Sequence, residues 1–127
     1  MQSLAHKAYG HVQQRTANPR EVEYALFSQI TGELSKAYQA EQNSETSCAT
    51  EAISRNLQLW TTLASDLMAE DNALPLELRK SLLQLSEYVR KTSLELFSGR
   101  GSLESLIDIN TSIMQGLSVS QPEQDAA

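Results

Sequence analysis

The amino-acid sequence predicts an all-α protein, a small bundle of about five helices with a disordered C-terminal tail. Glycine and proline are scarce, at 5 and 3 of 127 residues. Apolar residues recur every three to four positions, which is the spacing of one helix face, and no segment alternates as a half-buried strand does. A chain of this length supports one core. We therefore expect a single helical domain over residues 1–117 and a disordered tail over 118–127.

The N-terminal helix is expected over residues 4–12. Leu4, Tyr9 and Val12 lie there at helical spacing. Alanines fill the rest of this apolar stripe, so the helix buries little area. Because short helices depend on packing for their stability, we expect this helix to be held loosely or to be completed by a partner.

The second helix has the clearest start signal. Asn18 can accept hydrogen bonds from the first free N–H groups, and Pro19 suits the first helical position. Apolar residues at three- and four-residue spacing continue from there to about residue 41. The polar stretch 41–47 follows and is predicted to be a connection.

A polar turn separates the third and fourth helices. The third carries its apolar stripe from Ile53 to Met68 and is expected to stop near Asp71. The fourth is expected to open at Leu74-Pro75, with Pro75 at the first helical position. Its apolar residues have the four–three–four spacing of a coiled-coil seam. They are Leu78, Leu82, Leu85 and Val89.

The fifth helix is bounded by a glycine and a serine. Gly99 can adopt the left-handed conformation that ends the preceding helix, and Ser102 can cap the next one. Asn110 falls at the centre of the apolar stripe of this last helix. A buried amide needs hydrogen-bond partners and can set the register of neighbouring helices. Asn110 either does this or marks the place where the stripe meets a groove or another chain.

The charge balance and the single cysteine limit the class of protein. The chain has 10 Lys and Arg against 16 Asp and Glu, a formal net charge of −6. It therefore lacks the general basic excess with which proteins hold nucleic acid. Cys48 cannot form an internal disulfide, and no apolar run has the length of a signal peptide or a membrane span. We expect a cytoplasmic protein without membrane insertion.

No set of side chains has the spacing of a catalytic, cofactor or metal site. His6 and His11 fall on different faces of a helix, and no cysteine or HExxH pattern completes a zinc site. Cys48 has no neighbouring basic residue that would favour a thiolate. We expect neither an enzyme nor a bound cofactor or metal.

The fourth helix carries much of the positive charge. Arg79-Lys80 and Arg90-Lys91 are eleven residues apart, about three helical turns, so the two pairs repeat on nearly the same face. Glu87 is expected to pair with Lys91 at the stabilising i,i+4 spacing. A solvated face is the default interpretation, and contact of these four basic residues with RNA is the alternative.

Three stretches of the sequence, taken in order, resemble a known family. They are residues 8–27, 59–85 and 106–117. The most specific pieces are Leu59-Trp60 with Asp66-Leu67, Asn72-Ala73-Leu74-Pro75 leading to Leu78-Arg79, and Ile109-Asn110 with Gly116-Leu117. In this combination the chain resembles the flagellar biosynthesis regulator FlaF family of bacteria, over most of its length.

The resemblance implies a cytoplasmic, non-enzymatic accessory of flagellin production. FlaF-like proteins are associated with flagellin synthesis and secretion, and are thought to act on flagellin itself, alongside the regulator FlbT. Unassembled flagellin has terminal segments that become helical only in the filament and whose apolar stripes must be covered beforehand. A small helical protein can cover such a stripe by laying it into a groove between its own helices. We therefore expect a flagellin-binding chaperone and regulator.

The expected groove is lined by apolar faces of the third, fourth and fifth helices, with the N-terminal helix closing over it. The candidate partner-binding residues are Tyr9, Val12, Trp60, Leu63, Leu67, Leu74, Leu78, Asn110 and Ile113. For Trp60, plain core packing is the competing interpretation. Two other functions stay open. One is an RNA-linked regulator of flagellin translation that acts with FlbT through the basic residues of the fourth helix, and the other is a homodimer formed by exchange of helices across residues 41–47.

Overall fold

A computed structural model describes residues 19–45 and 49–126, with side chains for 23–45 and 49–116. Within these ranges the chain is all-α, as predicted, and contains no strand. It forms four helices rather than about five. They are α1 (Pro19–Gln42), α2 (Ala49–Leu67), α3 (Leu76–Phe97) and α4 (Leu103–Ala126). The helix expected over residues 4–12 lies outside the described residues.

Local signals place several helix ends where the sequence predicts them. The first described helix begins at Pro19 and ends at Gln42. Gly99 has a φ of 84°, the left-handed conformation that its lack of a Cβ permits, and it ends α3. The side-chain oxygen of Ser102 accepts a hydrogen bond from the N–H of Glu104 at 3.1 Å, so Ser102 caps α4 as expected.

Three other boundaries differ from the prediction. α2 ends at Leu67, before the predicted stop near Asp71. Pro75 lies just before α3 with extended backbone angles, so it precedes the helix rather than opening it. α4 continues to Ala126, although the prediction ended it at residue 117 and made 118–127 a disordered tail. Apolar periodicity predicts which part of a helix is buried and does not determine where the helix ends.

Successive helices run antiparallel, because each described connection is short. α1 packs against both α2 and α4, and α3 packs mainly against α2. α3 and α4 contact each other least among the packed pairs. The start of α1, the α2–α3 connection and the far end of α4 therefore share one end of the bundle. No described helix is both long and apolar enough to cross a membrane.

The core is built around Trp60, whose side chain is fully buried. The ring of Phe27 on α1 meets the indole edge-to-face, with ring centroids 5.8 Å apart. The hydroxyl of Ser86 on α3 donates a hydrogen bond to the main-chain carbonyl of Trp60 at 3.5 Å. The surrounding buried apolar residues are Ile30, Leu34, Ala37, Ala52, Ile53, Leu59, Val89, Leu103 and Leu106.

A chain of hydrogen bonds crosses this core from α2 to α4. The indole N–H of Trp60 donates to Oδ1 of Asn110 at 2.9 Å. The amide nitrogen of Asn110 in turn donates to Oδ1 of Asn56 at 2.7 Å. Because the indole can only donate, it fixes the orientation of both amides. The side chain of Asn110 is therefore buried and links two helices, as the structural interpretation of this residue predicts.

The Trp60–Asn110 bond can be tested with a double-mutant cycle. Trp60→Phe leaves a buried carbonyl oxygen without its donor, and Asn110→Leu leaves a buried indole N–H without its acceptor. Each is expected to lower the free energy of unfolding by about 1–3 kcal/mol or more. The double variant removes both orphaned groups, so its loss should fall short of the sum by about 1 kcal/mol.

Urea unfolding followed by circular dichroism measures all four proteins, including those that lack the tryptophan. The loss of the Asn110–Asn56 bond is common to both variants that carry Asn110→Leu and cancels in the cycle. Additive losses would show that the indole and the amide are not coupled.

Candidate partner-binding corner

The connection between α2 and α3 is held in one shape by the side chain of Asn72. Its amide nitrogen donates to the main-chain carbonyl of Asp66 at 3.0 Å, which caps the end of α2. Its Oδ1 accepts the N–H of Leu74, also at 3.0 Å. An asparagine that bonds the backbone two residues later forms a local turn. One side chain therefore ends α2 early and directs the chain into α3.

Arg79 holds the same connection from the α3 side. Its guanidinium donates to the main-chain carbonyl of Asn72 at 3.4 Å. The Nε of Arg79 is buried and has no hydrogen-bond partner among the described residues. A buried donor of this kind costs free energy unless an acceptor reaches it. The corner is thus ordered by its own hydrogen bonds and also holds one unused donor.

Four large apolar side chains at this corner are exposed, and we call them the corner patch. They are Met68, Leu74, Leu76 and Leu78. Leu78 is the most informative, because it continues the core-facing seam of Leu82, Leu85 and Val89 and yet is 45% exposed. The seam of α3 extends beyond the part that α2 covers. Four large apolar side chains are thus exposed within residues 68–78, which makes this stretch the candidate binding surface.

The corner patch lies among acidic side chains. Glu70, Asp71 and Glu77 are exposed within the same stretch, and Asp66 lies half-buried at the end of α2. Residues 66–80 hold these four acidic residues against two basic ones, Arg79 and Lys80, which leaves the stretch with a net charge of −2. The corner therefore combines apolar contact area with a negative field, which favours a partner that is apolar and basic.

The structure separates the predicted partner-binding residues into three groups. Trp60, Leu67 and Asn110 are buried, so they form the core and do not line an open groove. Leu63 and Ile113 are half-buried and pack against the core. Leu74 and Leu78 are exposed at the corner. Tyr9 and Val12 lie outside the described residues.

The sequence prediction missed Met68 and Leu76 as surface residues. Met68 was assigned to the apolar stripe of the third helix, but α2 ends one residue earlier and leaves its side chain 68% exposed. Leu76 follows Pro75 directly and precedes an acidic residue. A signal for both was present, since they flank a stretch rich in acidic and turn-forming residues.

Half of the predicted basic stripe on α3 is already engaged within the chain. The guanidinium of Arg79 binds the corner, and Arg90 forms an ion pair with Glu87 at i,i+3 spacing. The expected Glu87–Lys91 pair is thus replaced by Glu87–Arg90. The hydrogen bond from Arg90 lowers the pKa of Glu87 below its ordinary value, and the same bond raises that of Arg90. Lys80 and Lys91 are exposed.

Replacing Asn72 should loosen the corner without unfolding the bundle. Asn72→Ala removes two side-chain hydrogen bonds, so we expect the free energy of unfolding to fall by about 1–2 kcal/mol. Amide hydrogen exchange should accelerate at residues 68–78. Asn43→Ala, on the exposed connection after α1, is the matched control and should change stability by less than about 0.5 kcal/mol. Equal exchange at the corner in both variants would contradict this role of Asn72.

The family model described as flagellar protein FlaF matches residues 5–117 of the chain. We found no match among curated proteins or among solved structures. The matched range includes the core link between Trp60 and Asn110 and the whole α2–α3 corner. The resemblance seen in the sequence is thereby confirmed, and the chain belongs to the FlaF family of flagellar proteins.

Proposed function

We propose that this protein is a cytoplasmic chaperone and regulator that binds unassembled flagellin at the corner patch and supports its synthesis and secretion. The observation that carries the proposal is the exposure of four large apolar side chains on an ordered connection. Family membership supplies the flagellar context. The corner supplies a surface that can cover an apolar stripe of another chain.

A helical segment of the partner is the occupant that fits this surface best. Leu78 leaves the seam of α3 open at one end of the bundle, so a further helix can continue the packing that α2 ends. The terminal segments of unassembled flagellin become helical and present such apolar stripes. Ile113 of α4 is half-buried against the core, and α3 and α4 contact each other least among the packed pairs.

The carboxylates around the corner keep the protein soluble although leucines are exposed there. Glu70, Asp71 and Glu77 bring negative charge next to the patch. Like charges on neighbouring copies oppose association, which limits self-aggregation through the same apolar surface. A basic or neutral partner does not meet this repulsion.

An RNA-linked regulator acting with FlbT is the alternative function. It requires Arg79, Lys80, Arg90 and Lys91 to neutralise phosphates. Two of these four side chains are occupied by contacts within the chain, one with Asn72 and one with Glu87. The contacts favour the flagellin-binding proposal over the RNA-binding one.

The proposal predicts a large loss of flagellin binding from two substitutions at the corner. Leu76→Ser with Leu78→Ser should raise the Kd for monomeric flagellin at least about ten-fold, because each lost leucine contact is worth about 1 kcal/mol. Both side chains already bury about half of their surface, so the free energy of unfolding should fall by about 1–2 kcal/mol, and circular dichroism confirms that the variant is folded before binding is measured. Isothermal titration calorimetry measures the Kd.

The matched control lies on the same helix. Tyr88→Ser with Leu94→Ser removes two exposed apolar side chains of similar exposure, 51% and 49%, away from the corner. This variant should bind flagellin as the parent does. A parent protein that binds neither intact flagellin nor its terminal segments would refute the proposal, and so would equal losses in the two double variants.

A further inference from the structure

We propose that residues 1–18 of the chain occupy the corner patch when no partner is bound there. Three independent features of the molecule support this occupant. They are the end of the bundle at which the segment joins α1, the sign of its charge, and the spacing of its apolar residues. A second copy of the chain is the competing occupant, and the experiment below separates the two.

The segment joins the bundle at the right end. α1 begins at Pro19 and runs antiparallel to α2, because Phe27 contacts Trp60 whereas Glu33, further along α1, pairs with the earlier Arg55. The first turn of α1 and the α2–α3 connection therefore lie at the same end. Eighteen residues span about 27 Å as a helix and more when extended, so the segment can reach the corner in either form. Tyr24, exposed near the start of α1, adds apolar surface at this end.

The segment and the corner carry opposite charge. Residues 1–18 include Lys7 and Arg15 and contain no Asp or Glu. Residues 66–80, which include Arg79 and Lys80, hold four acidic residues against these two basic ones and carry a net charge of −2. All sixteen acidic residues follow residue 20, so the net charge of −6 is divided between a basic N-terminal segment and a more acidic body. This separation of charge favours contact between the two parts of one chain.

The apolar residues of the segment can cover the exposed apolar side chains of the corner. Leu4, Tyr9 and Val12 have the spacing of one helix face, and alanines fill the rest of that face. The stripe is too narrow to support a helix on its own. The corner patch in turn exposes apolar side chains that no described residue covers. Docking buries both surfaces at once.

When the segment is docked at the corner, flagellin has to compete with it for that surface. This step rests on the proposed function, whereas the docking itself does not. Flagellin must displace residues 1–18 to reach Leu76 and Leu78, so the segment lowers the apparent affinity and prevents other apolar chains from binding. A tethered segment meets the corner at millimolar effective concentration, which suits a covering that a specific partner can remove.

Cysteine cross-linking in the full chain tests the docking. In a Cys48→Ser background, Ser3→Cys is paired with Ala73→Cys at the corner or with Ser98→Cys at the opposite end of the bundle. Both second positions are exposed. A short bismaleimide should link Ser3→Cys to Ala73→Cys within one chain in several-fold higher yield than to Ser98→Cys.

Substitutions in the segment show whether the cross-link results from docking or from tethering alone. Tyr9→Asp, and separately Lys7→Glu with Arg15→Glu, should each lower the yield at Ala73→Cys several-fold, and added salt should lower it as well. Unchanged yields in these variants would overturn the proposal. Cross-links that form only between chains would overturn it in favour of a second copy.

Adding monomeric flagellin tests whether flagellin competes with the segment for the corner. Added flagellin should lower the yield of the cross-link within the chain, and Lys7→Glu with Arg15→Glu should bind flagellin several-fold more tightly than the parent. Flagellin that binds without changing the yield would refute competition. Flagellin that does not bind at all would refute the proposed function, while the cross-link alone would still establish the docking.

Discussion

The fold depends on Trp60, because this one residue contacts all three other helices of the described bundle. Its ring packs against Phe27 of α1, its indole N–H bonds Asn110 of α4, and its carbonyl accepts the hydroxyl of Ser86 on α3. Two buried hydrogen bonds, Trp60–Asn110 and Asn110–Asn56, join α2 and α4 directly. A buried polar link is directional, and hydrophobic contact is not. It therefore fixes the register of α2, which apolar packing alone would leave loosely specified.

The register of α2 determines where the corner forms. With Trp60 held in the core, the helix reaches Asp66 and Leu67 one to two turns later, at the edge of the bundle. Asn72 caps the carbonyl of Asp66 there and turns the chain toward α3. Leu76 and Leu78 of α3 follow this turn, and they lie beyond the part of α3 that α2 can cover. The exposed apolar surface is thus a consequence of how the core is aligned and of where one asparagine ends a helix.

Features encoded by adjacent residues could be predicted from the sequence, and features that join distant ones could not. Gly99 and Ser102 act on their own helix ends, and their roles are confirmed. The stripe of α3 was also recognised, and Leu78 was among the candidate partner-binding residues, but periodicity identifies a face and not how far a partner covers it, so the exposure of Met68 and Leu76 was missed. The partners of Asn110 lie 50 and 54 residues away, and no local pattern reveals such a pairing.

The energetics of the corner explain why it can serve as an exchangeable site. Burying the remaining exposed part of a leucine or methionine is worth about 1 kcal/mol, so the four side chains of the patch supply about 4 kcal/mol. A separate molecule also has to offset about 4–15 kcal/mol of lost translational and rotational freedom. A free partner therefore needs further contacts, such as those with the half-buried Ile113 and Met114 of α4. A segment of the same chain avoids most of this cost, because it is already tethered at Pro19. The same small patch can consequently hold its own N-terminal segment and still release it to a partner that brings a longer apolar stripe.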